Sequence, residues 1–274
     1  MADAPPQPIL QFDRVTVRFD GADVLTDLSF AAFEGESRVI LGASGSGKTV
    51  LLKTALGLIR PDSGKVYAFG KDITIMSERE LFDIRSRMGM LFQESALFDS
   101  LTIEENVAYP LENIKSIQCP KDQVLPRVKE ALEFVELGAT LEKFPSELSG
   151  GMRRRAAIAR AVVTGPPLVL YDSPTAGLDP ITAHTIITLV IKERDISQTT
   201  AMIVTHRYQD GNLVANFRYN SKQGTLEPAR NGERQGARTT FMVLKEGRLV
   251  FEGDQDRLEL SKDAYVRKFV KPRV

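Results

Sequence analysis

The segment GASGSGKT at 42–49 combines glycines, a lysine and a threonine at the spacing G-x-x-x-x-G-K-[ST]. Gly42, Gly45 and Gly47 let the backbone turn tightly and bring successive amide N–H groups against phosphate oxygens. Ala43, Ser44 and Ser46 complete the loop, and Val50 continues into the segment after it. A helix beginning here adds the positive end of its dipole. Lys48 places an ammonium on the β- and γ-phosphates, and Thr49 offers a hydroxyl to Mg²⁺. A second stretch, PLVLYD, is an apolar run ending in Asp172, which delivers a carboxylate to the same place. One carboxylate, one hydroxyl and several waters is a set that Mg²⁺ ordinarily accepts from protein. The bland alternative is a chance glycine loop. It is disfavoured because a β-rich run, SRVIL, precedes the motif and a helical run follows it.

The elements that must position these groups alternate in type. ILQFDRVTVRF alternates apolar and polar residues as a strand does, and SFAAFEG reads as a second strand closed by a turn. SRVILG, KVYAFG, PLVLYD and AMIVTH read as further strands, and FMVLKEGRLVFEG as a hairpin. Helices are expected over 49–58, over 122–137, from Ser149 through RRRAAIARAVV, and over 181–195. In the second of these, Val124, Val128, Ala131, Leu132 and Val135 share one face. Strands alternating with helices predict an α/β fold with a mostly parallel sheet. The segment 211–238 is polar and glycine-rich, with five Lys/Arg against two Glu. It reads as a solvated insertion, with an extra hairpin or a partner-docking loop as the alternatives.

Composition narrows the function. The chain has 274 residues, with Lys+Arg and Asp+Glu both at 36, so no net charge pulls it toward nucleic acid or an anionic membrane. No paired aromatic and basic surface suggests nucleic-acid binding. Cys119 is the single cysteine, which excludes an intrachain disulfide and a thiolate metal cluster within one chain. The first eight residues are expected to fray, and they show no secretory pattern. No run approaches the roughly 18 apolar residues of a spanning helix. The expectation is a cytoplasmic protein that meets a membrane only through a partner.

Further motifs give the chain a family resemblance. LSGGM lies at 148–152, Gln93 sits in MLFQES, TAGLD ends at Asp179, and His206 ends IVTH. With the phosphate loop and Asp172, these resemble the ATP-binding cassette (ABC) ATPases over about residues 9–255, excluding 211–238. The resemblance implies a P-loop, RecA-like core with an N-terminal antiparallel β-subdomain and a helical subdomain at about 95–160, all in one ABC ATPase domain. It implies that Phe19 stacks on adenine and that Gln93 helps hold Mg²⁺ and the attacking water. Ser149, Gly150 and Gly151 would meet the γ-phosphate bound by an opposing subunit. Asp179 would bridge that interface, and His206 would bond the γ-phosphate. The implied partners are a transmembrane permease and a second ATPase subunit, as a homodimer or a heterodimer, on the cytoplasmic face of the inner membrane. Taken singly, Ser149 reads as a helix N-cap, His206 as a satisfied strand end, and Arg153, Arg154 and Arg155 as a solvated face. LFQESALFDSLTIEENVAYPL, SGGMRRRAAIARA and YDSPTAGLDP further resemble the ATPases of MCE-type (Mla-type) lipid transporters, which implies a phospholipid or related hydrophobic substrate.

Ser173 departs from the family pattern, which places glutamate there to polarise the attacking water. A serine hydroxyl with no base beside it in sequence accepts that proton poorly. A positioned general base contributes about 10²–10⁴-fold, or roughly 3–5 kcal/mol of barrier. Three readings follow. In one, a transporter ATPase orients water with other groups such as Gln93 and His206. In another, a degenerate cassette binds ATP and dimerises but hydrolyses slowly. The third is a soluble ABC ATPase, which a chain with one copy of each motif disfavours.

Overall fold

A computed structural model describes residues 7–229 and 238–270. In chain order, β1 (Leu10–Phe19) and β2 (Ala22–Ala32) form a hairpin, and β3 (Ser37–Gly42) leads into α1 (Lys48–Ala55). Next come β4 (Ser63–Ala68), β5 (Lys71–Asp72), α2 (Glu78–Arg85) and β6 (Met88–Leu91). Three helices follow, α3 (Ile103–Asn113), α4 (Lys121–Phe134) and α5 (Gly150–Val162). The chain returns through β7 (Leu168–Asp172), α6 (Pro180–Ser197), β8 (Thr200–Thr205) and α7 (Tyr208–Asn216). It ends with β9 (Phe217–Asn220), β10 (Thr225–Pro228), β11 (Thr239–Lys245), β12 (Arg248–Gly253), α8 (Gln255–Glu259) and α9 (Arg267–Val270).

The central sheet runs β12-β11-β3-β8-β7-β6. All its pairs are parallel except the β11–β12 hairpin. A separate antiparallel sheet runs β2-β1-β4-β5. Every residue of β3, β7 and β8 is buried, as strands covered on both faces must be. Alternation divides their side chains between two cores. Val39, Leu41, Val169, Tyr171 and Ile203 face α3–α6. Ile40, Leu168, Leu170, Met202 and Val204 face α1 and the antiparallel sheet. The expected face of α4 is the one used: Val128, Ala131, Leu132 and Val135 are buried, with Val124 packed against them.

Among the described residues five helices go beyond those expected, α2, α3, α7, α8 and α9; α2 and α3 start at capping boxes in which Ser77 pairs with Glu80 and Thr102 with Glu105. Buried Asn106 pins the loop ahead of α3. It accepts from the Phe98 N–H and donates to the carbonyls of Phe98, Leu101 and Thr102.

In the described part of 211–238 the structure shows the extra hairpin that the sequence left as an alternative to a solvated insertion. Residues 211–216 belong to α7, and 217–228 form the β9–β10 hairpin lying on α6. Arg194 and Asp195 at the end of α6 supply the order. Arg194 donates to the carbonyls of Val214 and Phe217, and Asp195 accepts from the Tyr219 N–H. These groups satisfy chain ends that would otherwise need water. Positions 230–237 of the expected insertion, and 1–6 of the expected frayed start, lie outside the described residues.

Candidate functional site

Three parallel strands deliver their chemistry to one edge. In register, Leu41 lies beside Thr205, and Asp172 beside Val204. The loop after β3, the residues after Asp172 and the residues after Thr205 therefore emerge together at the carboxyl ends of the strands, where open α/β sheets form their crevice. The result is a cleft of about 900 Å³, whose lining includes Gly45, Lys48, Thr49, Gln93, Ser173 and His206.

The loop 42–47 is shaped by what a side chain would strike. Gly47 has φ 97°, and a Cβ there would lie 2.7 Å from the Val24 carbonyl. At Gly42 it would lie 2.5 Å from Ser46 Oγ. Gly45 has φ 78° with open space where a Cβ would point, so backbone conformation alone favours glycine there. Lys48 folds back into this loop. Its ammonium donates to the carbonyls of Gly42 at 2.9 Å and Ala43 at 2.7 Å. Burial holds its pKa below the ordinary lysine value, and Asp172 partly offsets that.

Thr49 Oγ1 donates to Asp172 Oδ2 at 2.8 Å. Ser173 Oγ donates to the other carboxylate oxygen, Oδ1, at 3.2 Å. Ser173 sits at φ 50°, in the left-handed region that non-glycine residues seldom adopt, and its N–H donates to the Val204 carbonyl at 2.8 Å. Gln93 and His206 are exposed at the cleft wall. Among the described residues, no three His, Cys, Asp or Glu side chains gather as a metal cluster. Asp172 with the Thr49 hydroxyl is thus the hard-oxygen set that a Mg²⁺ ion bearing several waters would accept.

Other expected residues do not line this cleft. Phe19 is exposed at the end of β1. Ser149 caps α5, its Oγ accepting from the Met152 N–H at 3.2 Å. Asp179 caps α6, accepting from the N–H groups of Ile181 and Thr182 at 3.0 Å. Hydrogen bonds from Thr182, with that from the Ile181 N–H, hold the Asp179 carboxyl below its usual range. Gly150 lines an adjoining hollow of about 360 Å³ with Arg154, and this hollow shares Gln93 and Ala176 with the cleft. Gly151 lies where a Cβ would meet Thr182 at 2.5 Å.

The arginine run is not the solvated face expected. Arg153 is exposed, yet it donates to the Leu148 carbonyl. Arg154 is buried and donates to the carbonyls of Phe92 at 3.0 Å and Ala176 at 3.5 Å. Arg155 donates to the Val135 carbonyl. Each guanidinium ends on backbone oxygens left open by loops and helix ends.

The cleft also holds residues that local sequence does not single out. Tyr265, Lys268 and Phe269, from the last described turn of the chain, line it with Tyr208. The Ala43 N–H donates to Tyr265 Oη, which donates to the Leu244 carbonyl, both at 3.2 Å. No motif marks Tyr265, because its partners lie far away in sequence.

Similarity to known proteins extends over most of the chain. Residues 25–176 match the family described as ABC transporter. The chain is 31% identical over 265 residues to the intermembrane phospholipid transport system ATP-binding protein MlaF of Haemophilus influenzae, covering 97% of this chain and 91% of that protein. It is 39% identical over 198 residues to the probable ribonucleotide transport ATP-binding protein mkl of Mycobacterium tuberculosis, covering 72% of this chain and 54% of that protein. Among solved structures, it is similar to a dimeric post-hydrolysis state of an ATP-binding cassette bound to ADP and Pi. That match has a TM-score of 0.74 and 28% identity, and covers 89% of this chain and 98% of the other.

Proposed function

The chain belongs to the ABC transporter family, and on that premise we propose that it binds Mg²⁺·ATP between two head-to-tail cassettes to drive a permease carrying phospholipid or a related hydrophobic substrate. It is an ABC-type ATPase, and its cassette neighbours are dimeric. Among the described residues no helix is long and apolar enough to cross a membrane. The proposal has the permease hold it at the cytoplasmic face of the inner membrane. The whole chain acts as one cassette in which α3–α5 form the helical subdomain.

In this reading the amides of 43–50 and the Lys48 ammonium grip the triphosphate. When bound, Mg²⁺ neutralises charge on the β- and γ-phosphate oxygens. Thr49 and Asp172 hold it, joined by Gln93, and His206 bonds the γ-phosphate. Phe19 stacks on adenine. Ser149, Gly150, Gly151 and Asp179 stay outside the cleft because they serve the nucleotide of the second subunit. The observation that carries the reading is the 2.8 Å bond from Thr49, which lines the cleft with Lys48, to the buried Asp172, 123 residues away. The phospholipid assignment is supported by likeness to MlaF over nearly the full length of both chains.

The test is phosphate release by the purified protein with its co-purifying membrane partner, with and without Mg²⁺. Mg²⁺-dependent release is expected. A folded complex that neither binds ATP nor releases phosphate would refute the proposal. Lipid extraction from the complex tests the substrate class. Ser173 favours a second reading, a cassette that hydrolyses slowly and pairs with a complete one. Slow release by this chain alone, with faster release in a mixed dimer, would mark that case.

A further inference from the structure

Behind the cleft, a carboxylate that no motif marks joins two of its walls. Asp210, in the first turn of α7, is buried at 2% exposure. Its Oδ2 accepts the hydroxyl of Thr175 at 2.6 Å and that of Thr205 at 2.7 Å. Both threonines are buried. Thr175 lies two residues beyond Ser173, and Thr205 immediately precedes His206. Thr205 Oγ1 also accepts the Arg207 N–H at 3.0 Å, so the same bridge fixes the backbone on both sides of His206. The Arg207 guanidinium stands 3.7 Å from the other carboxylate oxygen.

We propose that Asp210 is a positioning residue for ATP hydrolysis, setting Ser173 and His206 relative to one another through Thr175 and Thr205. The inference rests on the reading of these two residues as neighbours of the γ-phosphate. What the bridge supplies is rigidity. Ser173 sits at φ 50°, a conformation that persists only where the surroundings over-determine it. Two short hydrogen bonds to one buried charge are stronger than neutral pairs. The positive end of α7 also favours the carboxylate in its first turn. From the opposite side, Arg154 holds the Ala176 carbonyl, so the loop after Ser173 is fastened at adjacent residues. A carboxylate reached from two loops sets a distance between them, which a cap serving one helix does not.

The experiment compares Asp210→Ala, Asp210→Asn and Thr175→Val with wild type in the complex with its membrane partner. It measures kcat at saturating Mg²⁺·ATP and, separately, the Kd for ATP. A misplacement of the order of 1 Å costs up to about 100-fold in rate. Asp210→Ala is therefore expected to lower kcat roughly ten- to hundred-fold, with Kd within about twofold. Asp210→Asn, which keeps an oxygen acceptor, should recover most of that loss. Thr175→Val, nearly the same shape, should fall with Asp210→Ala, and the double variant should be no worse than the single ones. If Asp210→Ala does not fold, Thr175→Val and Asp210→Asn carry the test. An unchanged kcat in Thr175→Val would overturn the inference, as would a Kd that weakens in step with kcat. A wild type that binds ATP but releases no phosphate would remove the hydrolytic reading and this inference together.

Discussion

Ser173 Oγ donates to Asp172 Oδ1 while Thr49 Oγ1 donates to Asp172 Oδ2, so one carboxylate accepts a hydroxyl at each oxygen. The serine proton is directed at the carboxylate, and Ser173 has no base on its far side along the chain. Ser173→Glu is therefore expected to raise ATP turnover, within the roughly 10²–10⁴-fold range of a general base. Nucleotide affinity should stay nearly unchanged, because loop 42–49 is untouched. Position 173 is half-buried beside the cleft, which leaves a longer side chain somewhere to go. Steady-state phosphate release checks it, and an equal or lower rate would contradict the missing-base account.

The Lys48 ammonium is held by backbone oxygens of its own loop. A triphosphate would compete for it with a far larger charge. Lys48→Ala should abolish measurable ATP binding in a calorimetric titration while the thermal transition survives, since the sheet and both cores lie elsewhere. Tight ATP retention by this variant would discredit the phosphate cradle.

The phosphate loop and the strands leading to Asp172 and His206 were legible because parallel strands buried on both faces read as unbroken apolar runs. Loop chemistry such as GASGSGKT is likewise local. Other parts depend on distant partners. Helix α7 carries a glycine and a buried aspartate whose packing comes from β3, β8 and β11 and from the loop after β7. The β9–β10 hairpin is polar, and its order comes from Arg194 and Asp195 on another helix. Tyr265 reaches Ala43 across 222 positions. Helices α2 and α3 were marked by S-x-x-E and T-x-x-E, a signal that hydrophobic periodicity alone passes over.

Glu193 gives a pH prediction. Burial raises its pKa above the ordinary glutamate value, against hydrogen bonds from Thr199 and Ser197 and the charge of Lys192. An acid whose folded pKa is raised binds more protons folded than unfolded between the two values. Stability therefore falls as pH rises through that window. Glu193→Gln removes the ionisation and can keep an acceptor for Thr199, which now donates to Glu193 Oε1 at 3.0 Å. The variant should melt higher than wild type at neutral pH, and the gain should shrink as pH falls toward the ordinary glutamate value of 4.5. Melting curves over that range decide it. A pH-independent difference would mean that the charge is not the cause.

Gly211 tests how α7 is seated, and through it the placement of Asp210. A Cβ at 211 would lie 2.7 Å from Phe241 Cε1 and 2.8 Å from Val39 Cγ1. Both side chains are fully buried in the core shared with Tyr171 and Ile203, so neither can swing into solvent. The backbone at 211 is helical, so alanine there would suffer no dihedral strain, and its better helix propensity would favour the variant by about 1 kcal/mol. Overpacking costs typically about 1–3 kcal/mol. With two immovable side chains the clash costs about 2–3 kcal/mol, the upper part of that range, so after the propensity gain Gly211→Ala is expected to destabilise by about 1–2 kcal/mol in urea denaturation, with an unchanged m-value. Its ATP turnover should also drop, because α7 must lift away from β3 and β11 and carry the Thr175–Asp210–Thr205 bridge with it. A variant as stable as wild type would show that the helix has room to spare against the sheet.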